Sequence, residues 1–178
     1  MTPDPARPRL GELLVERRAL LPHQLFHALD RQHDSGARFG TCLLEEPGVD
    51  EDKVLAELAR QQGVPAASAE ELRNAPREVL ERMRGPLARR LAAIPFAESA
   101  AGLSVAMRDP GDLAARDELA FASGGRIAPH AALELRIYEA IDLHYGEAAP
   151  DGYRRLWDRL HRRRHLWQGV DPLEESAD

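Results

Sequence analysis

The chain has 178 residues, of which 43% are apolar and 30% charged, and a net charge of −6. That length gives core enough for one domain or two small ones, and the composition excludes a disordered chain. No apolar run approaches the ~20 residues of a membrane-spanning helix, and the acidic balance argues against broad nucleic-acid binding.

Residues 1–8, MTPDPARP, are Pro-rich and lack the apolar core of an export signal, so a disordered start is expected. The single cysteine, Cys42, forms no internal disulfide. Both features point to the cytoplasm.

Residues 9–61 then carry one pattern twice. RLGELLVERRALLPHQLFHALDRQ runs from Arg9 to Gln32, and RFGTCLLEEPGVDEDKVLAELARQ from Arg38 to Gln61. Aligned without gaps, Arg9, Gly11, Leu14, Leu25, Leu29 and Gln32 fall on Arg38, Gly40, Leu43, Val54, Leu58 and Gln61, an offset of 29 residues that marks a duplicated unit. Leu10, Leu13 and Leu14, or Phe39, Cys42 and Leu43, have the i, i+3, i+4 spacing of a short amphipathic helix opened by Arg-x-Gly. A second helix carries Leu25 and Leu29, or Val54 and Leu58, towards the glutamine. Each copy is therefore a helical hairpin, and the apolar stripes pack the two together in a subdomain over residues 9–62.

A helical connector is expected over 63–90. Val64-Pro65 closes the repeat, AASAEEL offers a capped turn, and Pro76 suits the first turn of a helix with Val79, Leu80 and Met83 on one side. Gly85-Pro86 ends that helix, and Leu87 to Arg90 form a short helical piece.

Over 91–146 the apolar period changes. Ile94 and Phe96 alternate, SAAG turns the chain, and Leu103, Val105 and Met107 alternate again, which predicts a two-stranded hairpin stopped by Asp109-Pro110. Asp112 caps a helix to about Ala122 with Leu113, Leu119 and Ala120 facing inward, and Gly124-Gly125 ends it. Arg126 to His130 form a third strand. Leu133, Ile137 and Ile141 line a last helix to Tyr145, stopped by Gly146. The expected fold class is α+β: a helical bundle of two repeated hairpins, then a separate small β-β-α-β-α sandwich with helices on one face of the sheet.

Residues 147–178 hold a basic aromatic helix and an acidic tail. YRRLWDRLHRRRHLW has six Arg against one Asp and both tryptophans of the chain. Tyr153, Trp157, Leu160 and Trp167 share a helical face, which either packs on the domain or docks a partner; a membrane-surface or nucleic-acid contact is less favoured. The end, DPLEESAD, reads as a disordered tail.

All but one of the 24 basic residues are Arg, the exception being Lys53, so the phosphate-cradling GxxxxGK[ST] loop is absent. Asp109, Asp112 and Asp117 read as turn stop, helix cap and helix surface rather than a metal cluster. His161 and His165 have the i, i+4 spacing of ligands, but no Glu lies between them and no third ligand is evident, so they read as surface residues. Cys42 sits in an apolar stripe with no histidine near, and packing is its expected role. No catalytic constellation, metal site or cofactor is expected, and the chain is expected not to be an enzyme.

The duplicated motif resembles the MshEN domain, the amino-terminal cyclic di-GMP-binding domain of type II secretion and type IV pilus assembly ATPases. That family's signature is two Arg-Leu-Gly to Gln motifs of 24 residues with a five-residue spacer, here His33 to Ala37. MRDPGDLAARDELAFASG, followed by a strand and a helix ending in HYG, is similar to the second half of the same domain, so the resemblance covers about residues 9–146. The chain departs from the pattern where Arg18 and Pro47 replace glycines, with Gly48 one place late, and where Ala19 and Gly48 replace branched aliphatics. A left-handed backbone at such a glycine position costs a residue with a Cβ roughly 1–2 kcal/mol.

The resemblance implies ligand contacts at Arg9, Leu10, Gly11, Leu25, Leu29, Gln32, Arg38, Phe39, Gly40, Val54, Leu58 and Gln61. The chemistry suits it: an Arg fork pairs with phosphate or the Hoogsteen edge of guanine, Gly admits a ligand close to backbone, Gln bonds a base edge, and the Leu faces meet purines. Cyclic di-GMP is nearly symmetric, so two copied half-sites match two halves of a ligand. The competing reading is that Arg-x-Gly simply opens a helix and the glutamines face solvent. The expected function is thus a non-enzymatic module, without the ATPase domain, that binds cyclic di-GMP and regulates a secretion, pilus or motility machine. The alternative is a ligand-independent adaptor that docks proteins of such a machine.

Overall fold

The computed structural model describes residues 9–167, with side chains described through residue 160. Its first four helices are the two hairpins: α1 (Leu10–Glu16) and α2 (Pro22–Ser35), then α3 (Phe39–Leu43) and α4 (Glu51–Gln62). In both copies the motif arginine is the N-cap, with extended backbone at Arg9 and Arg38. Glu12 supports the first cap by accepting the Arg9 amide at 3.0 Å. The long helices end on left-handed glycines, Gly36 at φ +68° and Gly63 at φ +69°, where a side chain would strain the backbone.

The turn inside each hairpin shows what the departures from the family pattern do. Arg18 sits at φ +58°, one of two positive-φ non-glycine residues among those described, and the amides of Ala19 and Leu20 both reach the Leu14 carbonyl. In the second copy Pro47, with its fixed negative φ, cannot take that role, and Gly48 takes it one residue later at φ +75°. Leu14, Leu20, Ala28, Cys42, Leu43 and Val54 form the core between the copies.

The connector is three short helices, α5 (Ala69–Arg73), α6 (Arg77–Leu80) and α7 (Gly85–Leu91). Ser68 and Glu71 cap α5 reciprocally, Ser68 Oγ accepting the Glu71 amide at 3.2 Å and the Glu71 carboxylate accepting the Ser68 amide at 2.8 Å. Gly85-Pro86 does not end a helix as expected. It opens α7, because proline loses nothing in a first turn whose amides have no helical partner.

The sheet has the order β1 (Ala93–Ser99), β2 (Gly102–Met107), β3 (Ile127–Ala131). β1 and β2 are antiparallel, while β2 and β3 are parallel across α8 (Leu113–Ser123). Leu103, Val105 and Met107 are buried, and so are Ser104 and Ala106 between them. The sheet is thus covered on both faces, not on one. Asp112 caps α8, its Oδ1 accepting the Ala115 amide at 3.0 Å. Leu113 does not face inward: it is 68% exposed, because the buried line is Ala115, Leu119 and Ser123, and residue 113 lies on the other side of the helix.

α9 (Glu134–Tyr145) buries Leu135, Ile137, Tyr138, Ala140 and Ile141 and stops at Gly146, φ +67°. The sheet unit is not separate from the repeats. Leu133 at the start of α9 belongs to the core of the hairpins, and Arg136 pairs with both Glu51 oxygens at 2.7 Å. The connector is tied to the sheet as well, the Ala67 amide donating to the Ala131 carbonyl of β3 at 2.8 Å. The last helix, α10 (Asp151–Trp167), packs its start on this junction: Leu156 is buried and the Tyr153 ring lies 5.0 Å from that of Tyr138.

Candidate functional site

The duplication brings the two Arg-x-Gly corners face to face. A Cβ added to Gly11 would stand 2.5 Å from Leu25 Cδ1 and 3.0 Å from Phe39 Cζ. One added to Gly40 would stand 3.2 Å from Leu133 Cδ2 and 3.8 Å from Leu10 Cδ2. Each glycine thus faces the residue that follows the arginine of the other copy. The space beside Gly11 is filled by protein side chains, so this glycine admits a neighbouring helix rather than a ligand. Leu10, Leu25 and Phe39 are correspondingly packing residues, buried or half-buried in the hairpin core.

In the second copy Arg38, Gly40 and Leu58 line one small cleft with Thr41, Arg108, Ala132, Leu133 and Glu134. Val54 is fully buried in the same core. Gln61 is half-buried and engaged within the protein. In the first copy Arg9 is exposed, and its guanidinium has no hydrogen bond or ion pair among the described residues. Leu25, Leu29 and Gln32 follow along one face of α2, with Leu29 45% exposed and Phe26, beside that face, 70% exposed. The first copy therefore exposes Arg9 and Leu29 and half-buries Leu25 and Gln32, whereas the second is covered by the start of α9 and the end of β2.

The cleft is charged. Arg38 donates to the Arg108 carbonyl at 2.8 Å and lies 4.0 Å from Asp109. Arg108 in turn reaches Glu134 Oε1 at 3.3 Å, and the other Glu134 oxygen accepts the Tyr153 hydroxyl. Burial, reinforced by the hydrogen bond to Glu134, pushes the Tyr153 hydroxyl well above its ordinary pKa, which keeps it a donor. Thr41 Oγ1 is buried without a hydrogen-bond partner among the described residues. Two guanidiniums and an unsatisfied hydroxyl beside apolar walls are suited to a phosphodiester or a purine edge. The cleft is too small for more than an edge.

Thr41, Arg108, Leu133 and Glu134 were not candidates from sequence. Thr41 alone left a sign, as the polar residue in the apolar run FGTCLL. Elsewhere the expected packing and turn roles hold: Cys42 is buried, with burial raising its thiol pKa, and Asp109 accepts the Gly111 amide at 3.1 Å. Asp117 is exposed on α8.

On α10 the expected docking face is partly used by the domain itself. Tyr153 packs against both cores, so its ring and hydroxyl are not offered to a partner. Trp157 is half-buried in a cavity of about 230 Å³ against α5 and α9, and Leu160 is half-buried. Leu156, missed in the sequence, is the most buried side chain of the helix among those described. The side chains of His161, His165 and Trp167 lie outside the described residues.

Comparison with known proteins places these features. The MshEN domain family matches residues 51–151. The type IV pilus assembly ATPase PilB of Myxococcus xanthus is 31% identical over 173 residues, 96% of this chain and 30% of that protein. The chain thus spans about 30% of the length of this curated relative. The solved structure of MshE with cdg is 30% identical, with a TM-score of 0.55 over 78% of this chain and 100% of that one. The amino-terminal domain of XpsE, 24% identical with a TM-score of 0.52 over 82% of this chain and 100% of that one, shares the fold.

Proposed function

The chain belongs to the MshEN domain family, and from that premise we propose that it binds cyclic di-GMP through its two Arg-x-Gly…Gln motifs. Through that binding it regulates, without chemistry of its own, a cytoplasmic type II secretion, type IV pilus or motility machine. MshE, whose solved structure holds cdg, and the pilus ATPase relative support the ligand and the machine respectively. The observation that carries the reading is the second cleft. Arg38, Gly40 and Leu58 are 20 residues apart at the extremes, yet they line one cleft with Thr41, whose buried hydroxyl has no hydrogen-bond partner among the described residues. There Arg38 meets phosphate or a guanine edge. In the first copy Arg9, exposed Leu29 and the half-buried Leu25 and Gln32 on the same face of α2 take the other half of the ligand.

Calorimetric titration with cyclic di-GMP tests this. Arg9→Ala and Arg38→Ala should each weaken binding by about 1–3 kcal/mol, the scale of a lost bidentate Arg contact, while both variants melt like the parent. No binding by the unaltered chain at high micromolar ligand in low salt would sink the receptor reading and leave the ligand-independent adaptor.

A further inference from the structure

Arg108 stands at none of the motif positions, yet it is the second guanidinium of the cleft. Its side chain is 41% exposed and its charge is spent on Glu134, whose side chain is 4% exposed. A carboxylate so buried needs its partners, and the structure supplies two: Arg108 from the end of β2 and Tyr153 from α10. Tyr153 lies two residues beyond the segment that matches the family, on the helix that follows α9.

Consider an anionic dinucleotide entering at Arg38. Its phosphodiester offers Arg108 a strong acceptor within the same cleft, and turning the guanidinium to it loosens the single 3.3 Å contact with Glu134. A buried carboxylate left without any partner is costly, and this opposes the move. Tyr153 offsets the cost, because its hydroxyl remains to hold the charge.

We propose that Arg108 is a ligand-contacting residue of the second half-site held in reserve by Glu134, and that Tyr153 is the substitute partner whose hold on Glu134 couples the ligand to α10. Binding draws Arg108 away and leaves Tyr153, which already donates to the other Glu134 oxygen, as the main partner of the carboxylate, and this tightens the hold on α10. By reciprocity, a docked α10 favours the ligand. The inference rests on the receptor reading given above and adds a positioning pair and an output element to it.

The test is titration of the full chain with cyclic di-GMP in five forms: unaltered, Arg108→Ala, Glu134→Gln, Tyr153→Phe, and Glu134→Gln combined with Tyr153→Phe. Arg108→Ala should weaken binding about 5- to 100-fold, as for a charge-assisted pair. Glu134→Gln removes the charge that holds Arg108 back and should tighten binding, which a damaged fold would not do. Tyr153→Phe should weaken binding several-fold alone and have no effect when Gln occupies position 134, since no charge then needs a substitute partner. Amide exchange along α10 should slow when ligand saturates the unaltered chain. Equal affinity for Arg108→Ala, or a Tyr153→Phe effect that persists beside Glu134→Gln, overturns this inference alone. An unaltered chain that binds nothing overturns the receptor reading beneath it.

Discussion

Replacing Arg18 by glycine isolates one departure from the family pattern and gives it a size. Arg18 holds φ +58°, a conformation that costs a residue with a Cβ roughly 1–2 kcal/mol. Its side chain is exposed and makes no hydrogen bond or ion pair among the described residues, so little is lost by removing it. Glycine gives back part of the gain, because its freer unfolded chain costs about 0.5–1 kcal/mol on folding. The difference lies between 0 and roughly 1.5 kcal/mol, with a central value of about 0.5–1 kcal/mol of stabilisation. For a chain of this size 1 kcal/mol moves the melting temperature by about 2–4 °C, so Arg18→Gly should raise it by about 1–4 °C. In urea the midpoint should rise with the slope unchanged. A lower or equal melting temperature would mean that Arg18 makes a contact worth more than its strain, and would refute the reasoning. The same protein answers a second question. Because the turn already has the left-handed geometry that a glycine would take, ligand affinity should not change. A loss would make Arg18 itself a phosphate contact, and a gain would mean that the turn is distorted.

Two further perturbations follow from the packing. Gly11→Ala should cost about 1–3 kcal/mol by overpacking against Leu25 and Phe39, and Gly40→Ala distinctly less, since its nearest neighbour stands at 3.2 Å rather than 2.5 Å; equal melting temperatures for the two variants would show that the corners are looser than described. Ending the chain after residue 150 removes buried Leu156 and the packed Tyr153, about 3–5 kcal/mol of burial, and should lower the melting temperature by roughly 6–20 °C, whereas an unchanged melt would restore α10 as a free docking helix.

The repeat and the sheet were legible because both write a period into the sequence. The 29-residue offset placed all four helices of the hairpins, and the switch to alternation placed the strands. The misread points are those where a residue type serves two purposes. Gly85-Pro86 punctuates, but composition does not say whether it closes one helix or opens the next. Leu113 is apolar and next to a cap, yet it lies off the face that Ala115, Leu119 and Ser123 define. The cleft was less legible for a different reason. Arg38 and Arg108 are 70 residues apart and Tyr153 and Glu134 come from separate helices, so only the fold assembles them. No local pattern carries that information.

The two halves of the candidate site are copies in sequence but not in surroundings, and this decides what each can do. The sheet unit packs on the second copy: Leu133 closes over Gly40, Arg136 holds Glu51 at the start of α4, and Arg38 bonds the Arg108 carbonyl at the end of β2. Among the described residues the sheet unit does not cover the first copy in this way, and its Arg9 and Leu29 meet solvent. A nearly symmetric ligand therefore meets one half-site that contributes contacts alone and one whose contacts are already part of a network. Replacing Arg9 changes only what holds the ligand. Replacing Arg38 also releases the β2 end from α3, and with it the Arg108, Glu134 and Tyr153 chain that reaches α10. A signal passed from ligand to the rest of the chain must therefore start in the second copy, although both copies contribute to affinity.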